Sequence, residues 1–115
     1  MDTSHPDHAL ISSNDVEGVV VYDEANKKIG EVDHLMIDKL TGRVIYAVLS
    51  FGGFLTLKHQ HYPLPWDALK YDVELAGFRT KVREADLRDA PEFSDDARKS
   101  RDWERRLQAH YDRHY

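Results

Sequence analysis

Short runs of β-branched, aromatic and aliphatic residues recur through the first 90 positions, separated by polar or glycine-containing stretches, and this pattern is typical of β-strands and turns. A β-branched and aromatic run at residues 19–22 is followed by the polar stretch 23–27, which predicts a strand and a hairpin connection. The return strand is predicted at residues 28–38. After a turn at 39–42, residues 43–51 form the most hydrophobic strand, which we expect at the centre of the core.

Glycine and proline positions indicate how these strands are arranged. Gly30 lies inside the second strand and predicts a bulge or a sharp bend of the kind that closes small barrels. Pro63 and Pro65 cannot donate hydrogen bonds to a neighbouring strand, so their segment belongs at an edge or rim. A last hairpin is predicted from segments 70–72 and 78–82. The pattern as a whole predicts a mostly β protein, a small barrel of roughly five or six strands.

The pattern changes to a helical period after Pro91. At about 100° per residue, Trp103, Leu107 and Tyr111 fall on one side of this tail. The aromatic stripe predicts a C-terminal amphipathic α-helix that packs against the barrel or against a second copy of the chain. We therefore expect three segments, which are a flexible N-terminus at 1–10, a barrel-like domain at 11–90 and a helical tail at 91–115.

Composition places the chain among ordinary globular proteins. Its 115 residues are 41% hydrophobic and 32% charged, which suits one domain with one core. The longest apolar run, residues 44–49, is far shorter than the roughly 20 residues that span a membrane. The polar start does not resemble a secretion signal, so we expect a cytoplasmic protein. There are no cysteines, which excludes disulfides and thiolate metal sites.

The net charge of −5 lies in the first 90 residues, which hold 10 basic and 15 acidic side chains, whereas the tail holds 6 of each. An acidic body repels phosphate backbones, so nucleic-acid binding would need a local basic patch. We therefore expect a protein partner in preference to RNA or DNA.

Two separated groups of residues resemble the PRC-barrel family. The first is KIGEV at 28–32, followed by MID at 36–38 and TGRVIYAV at 41–48, and the second is PWDAL at 65–69. This family includes the cytoplasmic domain of the H subunit of the purple-bacterial photosynthetic reaction centre and the second domain of a ribosome maturation factor. The resemblance covers residues 11–90. It implies a small β-barrel and a free-standing bacterial protein of the H-subunit-like kind, and it brings no catalytic set.

Four histidines are spaced so that pairs of them could share a ligand. His59 and His61 are two residues apart, so on a strand they point to one face and could hold a metal ion if a carboxylate supplied a third ligand. The alternative is a pair of partly exposed rim histidines without metal. His110 and His114 are one helical turn apart and could bind a metal or sense pH, or could pack with the aromatic stripe.

No arrangement typical of catalysis is evident in the sequence. Asp33 and His34 are neighbours on a strand and should face opposite ways, which argues against a hydrogen-bonded pair. Gly52 and Gly53 lack the spacing and the lysine of a phosphate-binding loop. We therefore expect a protein that is not an enzyme and that carries no cofactor.

Two apolar regions are candidate partner-binding surfaces. One is the segment 51–55, in which two glycines between large apolar residues could present an exposed tip, or could fold back into the core. The other is the stripe of the tail helix. The candidate partner-binding residues are Phe51, Phe54, Leu55, Trp103, Leu107 and Tyr111.

These observations favour a non-enzymatic protein-interaction or scaffold module. We expect it to self-associate, for example as a homodimer, or to bind another protein through the tail helix or a barrel face. Two alternatives stay open. One is a small-ligand or metal-binding module that uses the surface histidines, and the other is the ribosome- or RNA-associated role that the family resemblance implies.

Overall fold

A computed structural model describes residues 10–51, 60–91 and 101–114. The elements in chain order are α1 (Ser13–Val16), β1 (Val20–Tyr22), β2 (Lys28–Ile37), β3 (Val44–Phe51), β4 (Gln60–Pro65), a 3₁₀ turn (Trp66–Ala68), β5 (Lys70–Asp72), β6 (Gly77–Arg79), α2 (Glu84–Arg88) and α3 (Arg101–His114). None of the helices within these ranges is long and apolar enough to cross a membrane.

All six strands belong to one sheet, in the order β4-β3-β2-β1-β6-β5. Neighbouring strands are antiparallel except β1 and β6, which pair in parallel through Val21 and Phe78. In the described part of the chain, β4 and β5 stand at the two ends of the order and do not pair with each other, so the sheet is open. The predicted mostly β architecture with a C-terminal helix is confirmed.

The edges of the sheet are built to limit further pairing. β4 is an edge strand and contains Pro63 and Pro65, in agreement with their missing amide protons. β5, at the other edge, is only three residues long. Short strands and prolines at an edge are common protections against strand addition, so contacts through side chains are the better candidates for partner binding.

The core surrounds β3. Ala47, Val48 and Leu49 are completely buried, and because successive side chains on a strand point to opposite faces, both faces of β3 are covered here. This confirms that the most hydrophobic strand lies at the centre of the core. The largest cluster of buried side chains draws on the sheet, α2 and α3, and it includes Ile29, Val32, Leu64, Phe78, Leu87 and Leu107.

The pairing register of β2 shifts at three places, one opposite β1 and two opposite β3, and the last of these skips Ile45 between the pairs made by Met36 and Ile37. Opposite β1, the ladder skips Ile29, beside the glycine at which the sequence predicts a bulge or bend. Opposite β3, the ladder shifts between Val32 and His34, which leaves Asp33 between two paired residues. An extra residue changes the side to which its neighbours point, so the second shift alters the surroundings of Asp33 and His34.

The tail helix α3 packs against this chain's own sheet. Trp103, Leu107 and Tyr111 are buried in the main hydrophobic cluster. The Tyr111 hydroxyl donates a hydrogen bond to the carbonyl oxygen of Pro63 at 2.7 Å. The Trp103 ring meets Tyr46 edge to face, with ring centroids 6.0 Å apart. The sequence allows the stripe to pack against its own chain or against a second copy, and the structure shows it packed against the sheet of its own chain.

Candidate functional site

The hairpin between β2 and β3 ends in a turn that Asp38 holds in place. Its carboxylate accepts hydrogen bonds from the amides of Leu40, at 2.8 Å, and Thr41, at 3.3 Å. Its backbone pairs with that of Gly42 and Arg43. Gly42 has a φ of 78°, a conformation that glycine adopts readily. The turn thereby holds Leu40 away from the core, with 96% of that residue exposed.

A groove of about 180 Å³ lies between this hairpin and the first turns of α3. Its lining residues are Met36, Ile37, Asp38, Ile45, Tyr46, Trp103 and Glu104. Two of them, Ile37 and Ile45, are themselves 55% and 39% exposed. We call residues 38–43 the hairpin tip and this cavity the hairpin groove. Together the tip and the groove place three large exposed aliphatic side chains on one hairpin, a grouping that marks binding surfaces.

Charges of opposite sign lie on the tip and in the groove. Lys39 and Arg43 are exposed on the tip, and neither forms an ion pair with any residue that the structure describes. Asp38 and Glu104 line the groove. Burial, and secondarily the charge of Glu104, raises the pKa of the Tyr46 hydroxyl, which therefore stays neutral. The groove is thus apolar at its base and acidic at its rim.

The three predicted partner-binding residues of the tail are not on the surface. Trp103, Leu107 and Tyr111 are at most 5% exposed, so a partner reaches most of their surface only if α3 leaves its place on the sheet. Trp103 nevertheless lines the hairpin groove, because α3 begins beside the β2–β3 hairpin. The structure therefore connects one predicted residue to a site that the sequence does not reveal.

The remaining predicted site residues fall mostly outside the described part of the chain. Phe54, Leu55 and His59 lie outside the described residues, as does the side chain of Phe51. Their roles in partner or metal binding stay predictions. His61 lies on β4 and is described in full.

Asp33, His34 and His61 form a second polar cluster on the exposed surface. The Asp33 carboxylate lies 2.7 Å from Nδ1 of His34 and 3.6 Å from Nε2 of His61. The hydrogen bond with His34 is the main cause that holds the pKa of Asp33 below its usual value. The expectation that Asp33 and His34 face opposite ways is wrong, because the register shift after Val32 brings the two side chains together.

The Asp33 carboxylate contacts one nitrogen of the His34 ring and thereby orients that ring. Within the described ranges, no group of three or more histidine, aspartate or glutamate side chains is arranged to hold a metal ion. His61 does lie near a carboxylate, the type of third ligand that the metal hypothesis requires. Metal binding by His59 and His61 stays a prediction.

His110 is buried between α3 and α2. Its Nε2 lies 2.5 Å from the carbonyl oxygen of Asp86, and because a carbonyl only accepts hydrogen bonds, this nitrogen donates. The ring also meets Tyr111 edge to face, with centroids 5.0 Å apart. These contacts support packing with the stripe as the role of His110. The side chain of His114 lies outside the described residues.

The hairpin groove is not evident from the sequence. The sequence pattern places Ile37 and Ile45 in apolar strands. It does not show that both side chains stay partly exposed beside the first turns of α3. The available signal is Leu40, a large aliphatic residue between Lys39 and Thr41 in a turn that is otherwise polar.

Comparison with known proteins gives two results. The PRC-barrel domain family matches residues 9–87 of the chain. Among solved structures, the chain is similar to the crystal structure of RimM, described as a 16S ribosomal RNA processing protein, from Pseudomonas aeruginosa, with 19% sequence identity and a TM-score of 0.44. That match covers 70% of this chain and 49% of that one, so this chain spans about half of its length. The comparison with curated proteins gives no match.

Proposed function

The chain belongs to the PRC-barrel domain family, and on that basis we propose that it is a non-enzymatic interaction module whose partner is a second copy of itself. The positions that resemble the family are structural glycines, aliphatic residues and a tryptophan, and none of them supplies catalytic chemistry. The observation that carries the proposal is the exposed apolar hairpin tip beside an apolar groove.

The energetics of this surface favour reversible association. Full burial of one large aliphatic side chain contributes about 1.5–3 kcal/mol, and three such side chains are exposed at the hairpin. Association itself costs about 4–15 kcal/mol in lost freedom of motion. A patch of this size therefore supports a weak dimer that forms and separates readily, which suits an adaptor or scaffold better than a permanent assembly.

A second way to self-associate would use the predicted stripe. If α3 of one copy docked on the sheet of another, Trp103, Leu107 and Tyr111 would make their present contacts between copies, as in domain swapping. Such a dimer exchanges slowly, because α3 must first leave its own sheet. The segment 51–55 is a further proposed contact surface, on the strength of its exposed-tip sequence pattern.

Sedimentation velocity of the full chain over a concentration series tests the proposal. We expect the weight-average mass to rise from that of a monomer toward twice that value between micromolar and millimolar protein. A mass that stays at the monomer value up to about 1 mM, the weak limit of specific affinities, would contradict self-association.

Metal binding by the surface histidines is a second candidate function, favoured by the carboxylate of Asp33 beside His61. Zinc titration of the full chain by calorimetry tests it, and the variant His61→Ala shows whether any binding requires the proposed ligand. A saturable heat at micromolar zinc that His61→Ala abolishes would support this function. No saturable heat in either protein would exclude it.

Association with ribosomal RNA is the third hypothesis. The acidic body opposes it, because fifteen acidic and ten basic side chains in the first 90 residues produce a repulsive field. A gel-shift titration with ribosomal RNA at two salt concentrations tests it. Binding that weakens steeply with salt would support an RNA role, and the absence of a shift at low salt would exclude one.

A further inference from the structure

We propose that two copies associate by reciprocal insertion, in which Leu40 of each copy enters the hairpin groove of the other. This inference rests on the proposed self-association and names its surface. Three observations on one hairpin carry it, namely a protruding apolar side chain, an apolar groove beside it, and opposite charges on the tip and the groove.

The backbone that carries the protruding side chain is held in position before binding. The carboxylate of Asp38 fixes the amide of Leu40, and the backbone of Gly42 closes the turn on Asp38 at 2.8 Å. Leu40 therefore cannot turn back into its own core without breaking these hydrogen bonds. Because the backbone conformation is set in advance, insertion into a partner loses little backbone conformational entropy.

The groove is close to the tip and is lined for an apolar guest. Ile37 and Ile45 form exposed aliphatic walls, and Trp103 contributes a buried aromatic surface. The groove lies next to the tip, because the β2–β3 hairpin forms one of its walls and α3 forms the other. A two-fold axis beside that hairpin therefore brings each tip to the groove of the other copy, so a closed dimer results in place of an open chain.

Charge complementarity identifies the occupant as a second copy. The tip presents Lys39 and Arg43 beside the single carboxylate of Asp38, so its net charge is positive, whereas the exposed Glu104 gives the groove rim negative charge. In a two-fold arrangement each basic tip faces an acidic rim, so favourable charge pairs form twice. A partner protein with an apolar and basic segment could bind the same groove, and a wild-type chain that stays monomeric would indicate that case.

Two substitutions separate insertion from general surface hydrophobicity. Leu40→Ser removes the inserted side chain, and Val73→Ser is the matched control, because Val73 is also a large aliphatic residue in a turn and is 79% exposed. Both positions are exposed, so both variants should keep the urea midpoint of the wild type. We expect Leu40→Ser to raise the dimer Kd at least about tenfold, and Val73→Ser to leave it within about twofold.

Charge reversal tests the pairing of tip and rim. Lys39→Glu and Glu104→Lys each place like charges together, so each should weaken the dimer severalfold. The double variant restores opposite charges across the two-fold axis and should recover most of the lost affinity. Recovery in the double variant cannot arise from a purely local effect at either position.

The outcomes distinguish this inference from the function on which it rests. If the wild type dimerises but Leu40→Ser dimerises equally well, insertion is wrong while self-association stands. A dimer that forms only over hours and ignores Leu40 would indicate exchange of α3. A wild type that stays monomeric up to 1 mM would overturn both, and the groove would then be open to a basic segment of another protein.

Discussion

The tail helix α3 and the β2–β3 hairpin both carry large apolar side chains, yet the structure uses them in opposite ways. In α3, Trp103, Leu107 and Tyr111 are buried against the sheet of the same chain. At the hairpin, Leu40 and Ile37 face solvent. The difference shows that apolar content alone does not identify a binding surface, because the same residue type serves the core in one place and the exterior in another.

Geometry explains the difference. A helix with an apolar stripe can lie along a sheet and bury several side chains at once, and Tyr111 adds a hydrogen bond to Pro63. A tight turn presents one side chain at a time, and the hydrogen bonds of Asp38 hold Leu40 outward. We therefore expect the buried side chains of α3 to contribute to the stability of the fold, and we propose the hairpin tip as the surface for association.

The largest expected difference between α3 and the hairpin is in the free energy of unfolding after substitution of one leucine in each. Leu107 is completely buried, so Leu107→Ala should lower the free energy of unfolding by about 2–5 kcal/mol. Leu40→Ala, its exposed counterpart, should change that free energy by less than about 0.5 kcal/mol. Urea denaturation measures both values. Equal effects at the two positions would mean that α3 is not docked on the sheet as described.

The hydrogen bond between Tyr111 and Pro63 provides a finer test of the docking. Tyr111→Phe removes the donor and leaves the ring in place, so we expect a loss of about 1 kcal/mol in the free energy of unfolding. Tyr71→Phe is the control, because the Tyr71 hydroxyl makes no hydrogen bond within the described residues and the residue is 43% exposed. A loss as large in the control would remove the support for this contact.

The smallest effect is expected at the exposed cluster of Asp33, His34 and His61. The pKa of Asp33 is lowered in the folded state, so its charge contributes stability above the unfolded-state pKa and loses that contribution as pH falls through the lower, folded value. Asp33→Asn removes this term. Because the group is well exposed, the loss at neutral pH should stay below about 1 kcal/mol.

Urea denaturation of wild type and Asp33→Asn between pH 2 and pH 7 measures this term. The two curves should converge at the acidic end, where the wild-type carboxylate is protonated in both states. A constant difference over the whole range would show that the carboxylate charge contributes nothing.

Much of the fold is predictable because short-range patterns specify it. The alternation in residues 28–38 and the apolar run in residues 43–51 anticipate β2 and β3, and the helical period of the stripe anticipates α3. The parallel pairing of β1 with β6 is not predictable in this way. It joins Val21 to Phe78, and a contact between such distant residues leaves no periodic trace in the sequence.

The candidate site is less predictable than the fold for two physical reasons. The exposure of Ile37 and Ile45 depends on where α3 packs against the sheet, and this tertiary contact is not specified by the pattern of either segment alone. The contact between Asp33 and His34 depends on one shift in the ladder of β2, and a slip of one residue changes which side chains share a face. Strand periodicity assumes the regular ladder and therefore places these two residues wrongly.

The most direct test of the central claim is an intermolecular measurement by paramagnetic relaxation. Because the chain has no cysteines, Lys39→Cys carries a single spin label, and labelled copies are mixed with isotope-enriched unlabelled copies. Reciprocal insertion predicts that amide signals of Ile45 and Glu104 in the enriched copy are broadened selectively. Signals that stay sharp at both residues in a sample that contains dimer would contradict insertion of the hairpin tip.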